Sequence, residues 1–153
     1  MKNIEFALFL SLNGRAEEAI TFYQEVFDGT LLFKITNQEF QERFNPELAL
    51  TEGTAHFISH SVLQVGNIQL QIADNPIDGN SLPVTGNTTS FSLLVQDIRE
   101  AKTIYEKACE HPETKVIQSA TENEFAEFYS ILQDPFGMLI QITKEKQPDP
   151  NKK

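Results

Sequence analysis

Three histidines and one cysteine carry the most reactive side chains of this 153-residue chain, and their placement limits what they could do. His56 and His60 fall four residues apart in a stretch, 56–65, that reads as a strand. Both would face the same way but stand ~13 Å apart along it. A single zinc ion, with bonds of about 2.0–2.1 Å to nitrogen, cannot take both. His60, on a strand expected to be buried, is the catalytic candidate, since imidazole titrates near neutral pH and could act as a general base. Its alternative is a histidine whose ring nitrogens bond backbone or a partner subunit. His111 precedes Pro112 at a predicted helix end, where a C-terminal cap or plain exposure accounts for it. Cys109 lies in a helical pattern with no evident base, so nucleophilic catalysis has no support. CxxC, HExxH, GxGxxG and Walker-type motifs do not occur. Asp74 opens a turn-rich stretch, and starting a turn competes there with touching a ligand.

The formal net charge is −10, from 12 basic and 22 acidic residues. That balance works against phosphate-backbone contacts, so no nucleic-acid partner is expected. The 40% hydrophobic content, with 12 Phe, 3 Tyr and no Trp, is enough for a packed interior. A lone cysteine excludes an internal disulfide and fits a reducing compartment, so a cytoplasmic location is expected. The apolar run at 6–12 is broken at Asn13-Gly14-Arg15 and lacks a cleavage site, so no signal peptide is expected. No run approaches the ~20 apolar residues of a membrane span. The tail, 144–153, holds four lysines and two prolines and is expected to fray as a solvated terminus.

The elements that must position these residues read as follows. Residues 5–12 suit a strand buried on both faces. Asn13 is placed to cap a helix that carries Ala16, Ala19, Ile20, Tyr23, Val26 and Phe27 on one side. Asp28-Gly29 ends it, with the glycine expected in the left-handed conformation. Residues 30–36 read as a strand and 37–54, with Pro46, as a loop with one helical turn. Strands 56–65 and 67–73 meet at a Gly66-Asn67 hairpin. After a turn-rich linker, 75–87, comes a strand at 89–95. Asp97-Ile98-Arg99-Glu100 then fits a D-x-x-E capping box, and the helix runs through Ala101, Ile104, Tyr105 and Ala108 to His111. Strands follow at 115–119, 127–132 and 137–143. Phe6, Phe9, Phe22, Phe27, Phe33, Phe57 and Phe91 read as mostly core.

Strand, helix and three strands thus occur twice. An offset of 82 residues lays Glu18-Ala19-x-Thr21-Phe22-Tyr23 over Glu100-Ala101-x-Thr103-Ile104-Tyr105 and carries the first strand across without a gap. The expected fold is α+β: a single domain, 1–143, of two βαβββ modules, 4–74 and 88–143.

The stretch Leu12-Asn13-Gly14-Arg15-Ala16-Glu17-Glu18-Ala19-Ile20-Thr21-Phe22-Tyr23 resembles the opening of PhnB-like proteins. These are a branch of the vicinal-oxygen-chelate (glyoxalase/bleomycin-resistance/dioxygenase) superfamily. Val26-Phe27-Asp28-Gly29, the segment from His60 to Gly66 and Gln133-Asp134-Pro135-Phe136-Gly137 are similar to later motifs of that branch. The resemblance implies curved mixed sheets that form a cavity, commonly within a homodimer. It also implies metal-ligand positions, one from the first and one from the last strand of each module. These fall on Leu8, on Gln69 or Gln71, on Ser90 and on Gln141. Leucine cannot ligate, serine is a poor neutral ligand, and glutamines do not offset a dication. The expectation is therefore no metal cofactor, with His60, Gln69, Gln71, Ser90 and Gln141 lining a small-molecule site. On that basis the protein is expected to bind a small molecule without chemistry, as bleomycin-resistance relatives do. The alternatives are a metal-dependent lyase or isomerase with an unrecognised ion site, and a structural or partner-binding protein.

Overall fold

Two amphipathic helices of similar length each need a sheet to cover, and the chain supplies one for each. A computed structural model describes residues 3–76, 82–148 and 151. It divides into two compact units, Met1–Val84 and Thr85–Lys153. The first holds β1 (Ala7–Ser11), α1 (Ala16–Phe27), β2 (Thr30–Thr36), α2 (Asn37–Phe44), β3 (Ile58–Val65) and β4 (Ile68–Ala73). The second holds β5 (Ser90–Leu94), α3 (Ile98–Glu110), β6 (Lys115–Thr121), β7 (Ala126–Gln133) and β8 (Leu139–Glu145). The sheets have equivalent strand orders, β1-β4-β3-β2 and β5-β8-β7-β6. In each, the first and last strands pair parallel and the other pairs are antiparallel. This is the expected pair of βαβββ modules, with mixed open sheets. The boundary at Val84 falls within the expected linker, of which residues 77–81 lie outside those described.

The core of each unit lies between helix and sheet. Ala16, Ala19, Ile20, Phe22, Tyr23 and Val26 of α1 are buried, as are Leu10, Leu63, Leu70 and Ile72 of the sheet it covers. In the second unit Ala101 and Ala108 of α3 are buried against β7 and β8, with Phe128, Leu132, Ile140 and Ile142 beneath. Each large apolar side chain removed from water contributes roughly 1.5–3 kcal/mol, so these one-sided layers account for both folds.

Several expectations are corrected. Asn13 does not cap α1. Its φ is 46°, and Arg15 stands at the cap position without a side-chain bond. Asp74 serves the helix start instead: its Oδ1 accepts from Gly14 N (2.6 Å) and from Ala16 N (2.9 Å), the first residue of α1, while its Oδ2 accepts from Ile58 N (2.8 Å) at the start of β3. A carboxylate there also suits the positive end of the helix dipole. At the other end of α1, Asp28 rather than Gly29 is left-handed. Gly29 is needed for space, because a Cβ there would meet Leu63 at 3.1 Å. Asp97 does cap α3, accepting from Arg99 N at 2.7 Å.

Residues 37–44 form a full two-turn helix, capped by Thr36, whose hydroxyl accepts from Glu39 N at 3.1 Å. β1 is not buried on both faces: Leu10 is buried, while Phe9 is 39% and neighbouring Phe6 84% exposed. Of the seven phenylalanines read as core, Phe22 and Phe91 are buried, Phe27 and Phe57 half-buried, and Phe6, Phe9 and Phe33 exposed. The tail begins later than expected. β8 runs to Glu145, Lys144 is buried beside Glu127 (3.5 Å), and Lys146 N–H donates to the Phe125 carbonyl.

Candidate functional site

Side chains alternate across a strand, so the face of each sheet turned away from its helix is built from every second residue. In the second unit these are Ser90, Ser92 and Leu94 of β5, Leu139, Gln141 and Thr143 of β8, and Tyr129, Ile131 and Gln133 of β7. Their registers agree: Ser90 pairs with Leu139, Ser92 with Gln141, Ile131 with Gln141 and Tyr129 with Thr143. The intervening residues Phe91, Phe128, Ser130, Leu132, Ile140 and Ile142 are buried.

Three residues of the outer face join across strands. The Tyr129 hydroxyl donates to Gln141 Oε1 at 2.8 Å, and Gln141 Nε2 donates to Ser90 Oγ at 2.9 Å. All three are half-buried. The Phe125 ring meets the Tyr129 ring edge-on at 5.9 Å. Ser90 and Gln141, both expected to line a site, are thus in direct contact. Tyr129 was not singled out from the sequence.

The same construction in the first unit gathers His60, Gln71 and Ala7. Gln71 pairs with Val62 as Gln141 pairs with Ile131, and Ala7 pairs with Gln69 as Ser90 pairs with Leu139. Leu8 instead pairs with buried Leu70, on the helix side. The 82-residue offset therefore holds for the helices but not for the first strands, where Ser90 answers Ala7, 83 positions earlier. One extra residue between β1 and α1 causes this, and a one-residue slip moves every side chain to the other face. The third strands are 69 apart, so Ser61-Val62-Leu63-Gln64 answers Ser130-Ile131-Leu132-Gln133. Their end glutamines make the same turn contact, Gln64 Nε2 to the Gly66 carbonyl and Gln133 Nε2 to the Gly137 carbonyl. Tyr129 occupies the place of His60, and that four-residue match was the signal that would have found it.

His60 is exposed rather than buried. Its Nδ1 lies 2.9 Å from Ser59 Oγ and its ring stacks on Phe40 of α2, centroids 5.6 Å apart. No carboxylate among the described residues orients it, so the arrangement lacks the third group that a general base uses. Gln69 is half-buried and Gln71 exposed, both on the outer face. Asp74 is occupied by the three backbone N–H groups described above. Cys109 is exposed, yet partial desolvation pushes its thiol upward, opposed by a hydrogen bond with Tyr105. A cleft of about 110 Å³ opens at the far ends of β5 and β8, lined by Leu94, Thr143 and Lys144 among others.

These residues do not fit a divalent ion. Gln141, Gln71 and Ser90 bring no charge to offset a dication, Ala7 offers no donor, and an ion at Gln141 Oε1 would compete with its bond from Tyr129. Among the described residues no three of His, Cys, Asp and Glu gather closely enough to hold a metal. Nor is any described helix long and apolar enough to cross a membrane.

The Glyoxalase/Bleomycin resistance protein/Dioxygenase superfamily matches residues 8–142 of the chain. The chain belongs to this superfamily. Solved structures agree on the superfamily fold. A Pseudomonas aeruginosa protein is 21% identical with a TM-score of 0.73, over 95% of this chain and 100% of that one. A Bacillus cereus PhnB protein is 18% identical, TM-score 0.69, over 92% and 99%. The fosfomycin resistance protein FosX of Listeria monocytogenes is 10% identical, TM-score 0.65, over 95% and 96%. No curated protein matches.

Proposed function

We propose that this glyoxalase-superfamily protein is a PhnB-like binding module, acting in the cytoplasm as a homodimer and holding a small, partly apolar molecule without a divalent metal. One observation carries the reading: where the family resemblance implies ion ligands, Gln141 is hydrogen-bonded on both sides by neutral residues. Around it Ile131, Leu139 and Leu94 offer apolar surface, and Ser92, Gln133 and Thr143 offer polar groups. A few polar groups set in apolar surroundings are what small-molecule sites use for orientation. His60, Gln69 and Gln71 make the corresponding face of the first module.

The competing reading is a metal-dependent lyase or isomerase. It draws on the superfamily alone, and a shared fold is a weak warrant for shared chemistry. Metal analysis of protein purified without chelator separates the two. The binding-module reading expects well under one divalent ion per chain. One tightly held ion per chain, lost on Gln141→Ala or His60→Ala, would defeat it.

A further inference from the structure

The hydrogen-bond chain has a direction. Tyr129 O–H donates to Gln141, and Gln141 N–H donates to Ser90 Oγ. The Ser90 hydroxyl proton is then left with no acceptor among the described residues, on a half-buried side chain at the first position of β5. A partly desolvated hydroxyl gains most from a ligand acceptor, because leaving a donor unmet in a dry site is costly. The positions nearest it on β5, β8 and β7, Ser92, Leu139, Gln141, Ile131, Gln133 and Tyr129, carry no charge, and the charged residue in its row, Lys115 of the edge strand β6, stands three strands away, roughly 14 Å. An anion would lose hydration there without meeting a countercharge, and the net charge of −10 adds to its cost.

We infer that Ser90 is the anchoring donor of this face, held in position by Gln141 and Tyr129, and that its ligand presents a neutral carbonyl oxygen, as in an amide, ketone or ester, next to an apolar group. This rests on the binding reading above and narrows it to one ligand class.

The test uses the full chain and four probes of similar size: acetanilide (neutral carbonyl), benzoate and phenyl phosphate (anions), and ethylbenzene (no acceptor). Binding is followed by saturation-transfer NMR and by the Gln141 side-chain amide signal. Acetanilide is expected to bind at least about tenfold more tightly than ethylbenzene, the worth of one good hydrogen bond, to bind more tightly than either anion, which loses hydration, and to shift the Gln141 amide. Ser90→Ala should weaken it about tenfold, Ser90→Thr should keep it, and Tyr129→Phe should weaken it less than Ser90→Ala. Saturable binding in which the anions or ethylbenzene equal acetanilide, or in which Ser90→Ala is silent, overturns the donor assignment and leaves the binding reading standing. Loss on Tyr129→Phe with Ser90→Ala silent overturns it too, because it reverses the direction of the chain. If none of the four probes binds saturably, the binding reading fails and this inference fails with it.

Discussion

The two modules share a strand order and a register yet have different outer faces. In the second, Tyr129, Gln141 and Ser90 form a connected chain on the sheet face turned away from α3. In the first, the same places hold His60, Gln71 and Ala7. There α2 seats Phe40 on His60, alanine removes one end of the chain, and the Gln71 side chain makes no hydrogen bond among the described residues. α2 has no counterpart in the second module, where β6 and β7 are joined by only four residues, 122–125. The two modules thus share a scaffold and differ at positions turned away from the helix, where the buried helix-to-sheet packing does not dictate the residue.

The helix starts differ as well, and mutation should expose it. Asp74→Ala would strip two buried N–H groups and one part-buried one of their acceptor, so chemical denaturation should show a loss of roughly 3–5 kcal/mol. Asp97→Ala removes a single exposed cap from α3 and should cost about 1 kcal/mol. Equal losses would mean that Asp74 is no more than a local cap. Between these lies Gly137→Ala in the Asp134–Gly137 turn. Gly137 has φ 92° and a Cβ would come within 2.7 Å of Thr85 Cγ2. A cost of about 2 kcal/mol is expected. Full tolerance would show that Thr85 does not pack against this turn.

The smallest effect is also the most discriminating. Ser61 and Ser130 occupy equivalent buried places. Ser61 donates to the Ile72 carbonyl, while Ser130 Oγ has no hydrogen-bond partner among the described residues. Ser61→Ala should therefore destabilise by about 1 kcal/mol, and Ser130→Ala should be neutral or stabilising by up to about 1 kcal/mol. Thermal melts of both variants check the sign. Matching losses would mean that the second serine is bonded as the first is.

Element order and type were readable from periodicity, since alternation and helical spacing report which side meets the core. The α1 face and the Asp97 cap were read correctly for that reason. The face assignment of the first strand was not, because Leu8 and Phe9 are both apolar and only backbone pairing decides which one points inward. The α1 cap was missed because its acceptor, Asp74, is distant in sequence. Ser90 and Gln141 came from the family resemblance. Tyr129 stayed hidden because the offset of 82 in the helices becomes 69 at the third strand, once α2 is dropped.

The central proposal is that the Tyr129–Gln141–Ser90 chain, neutral and bonded to itself, does not hold a divalent ion. Titrating the 15N-labelled chain with Mn²⁺ while watching the Gln141 side-chain amide tests this directly. At one equivalent of Mn²⁺ the amide signal should keep its intensity in the wild type. Selective broadening of Gln141 and Ser90 at that ratio would contradict the account.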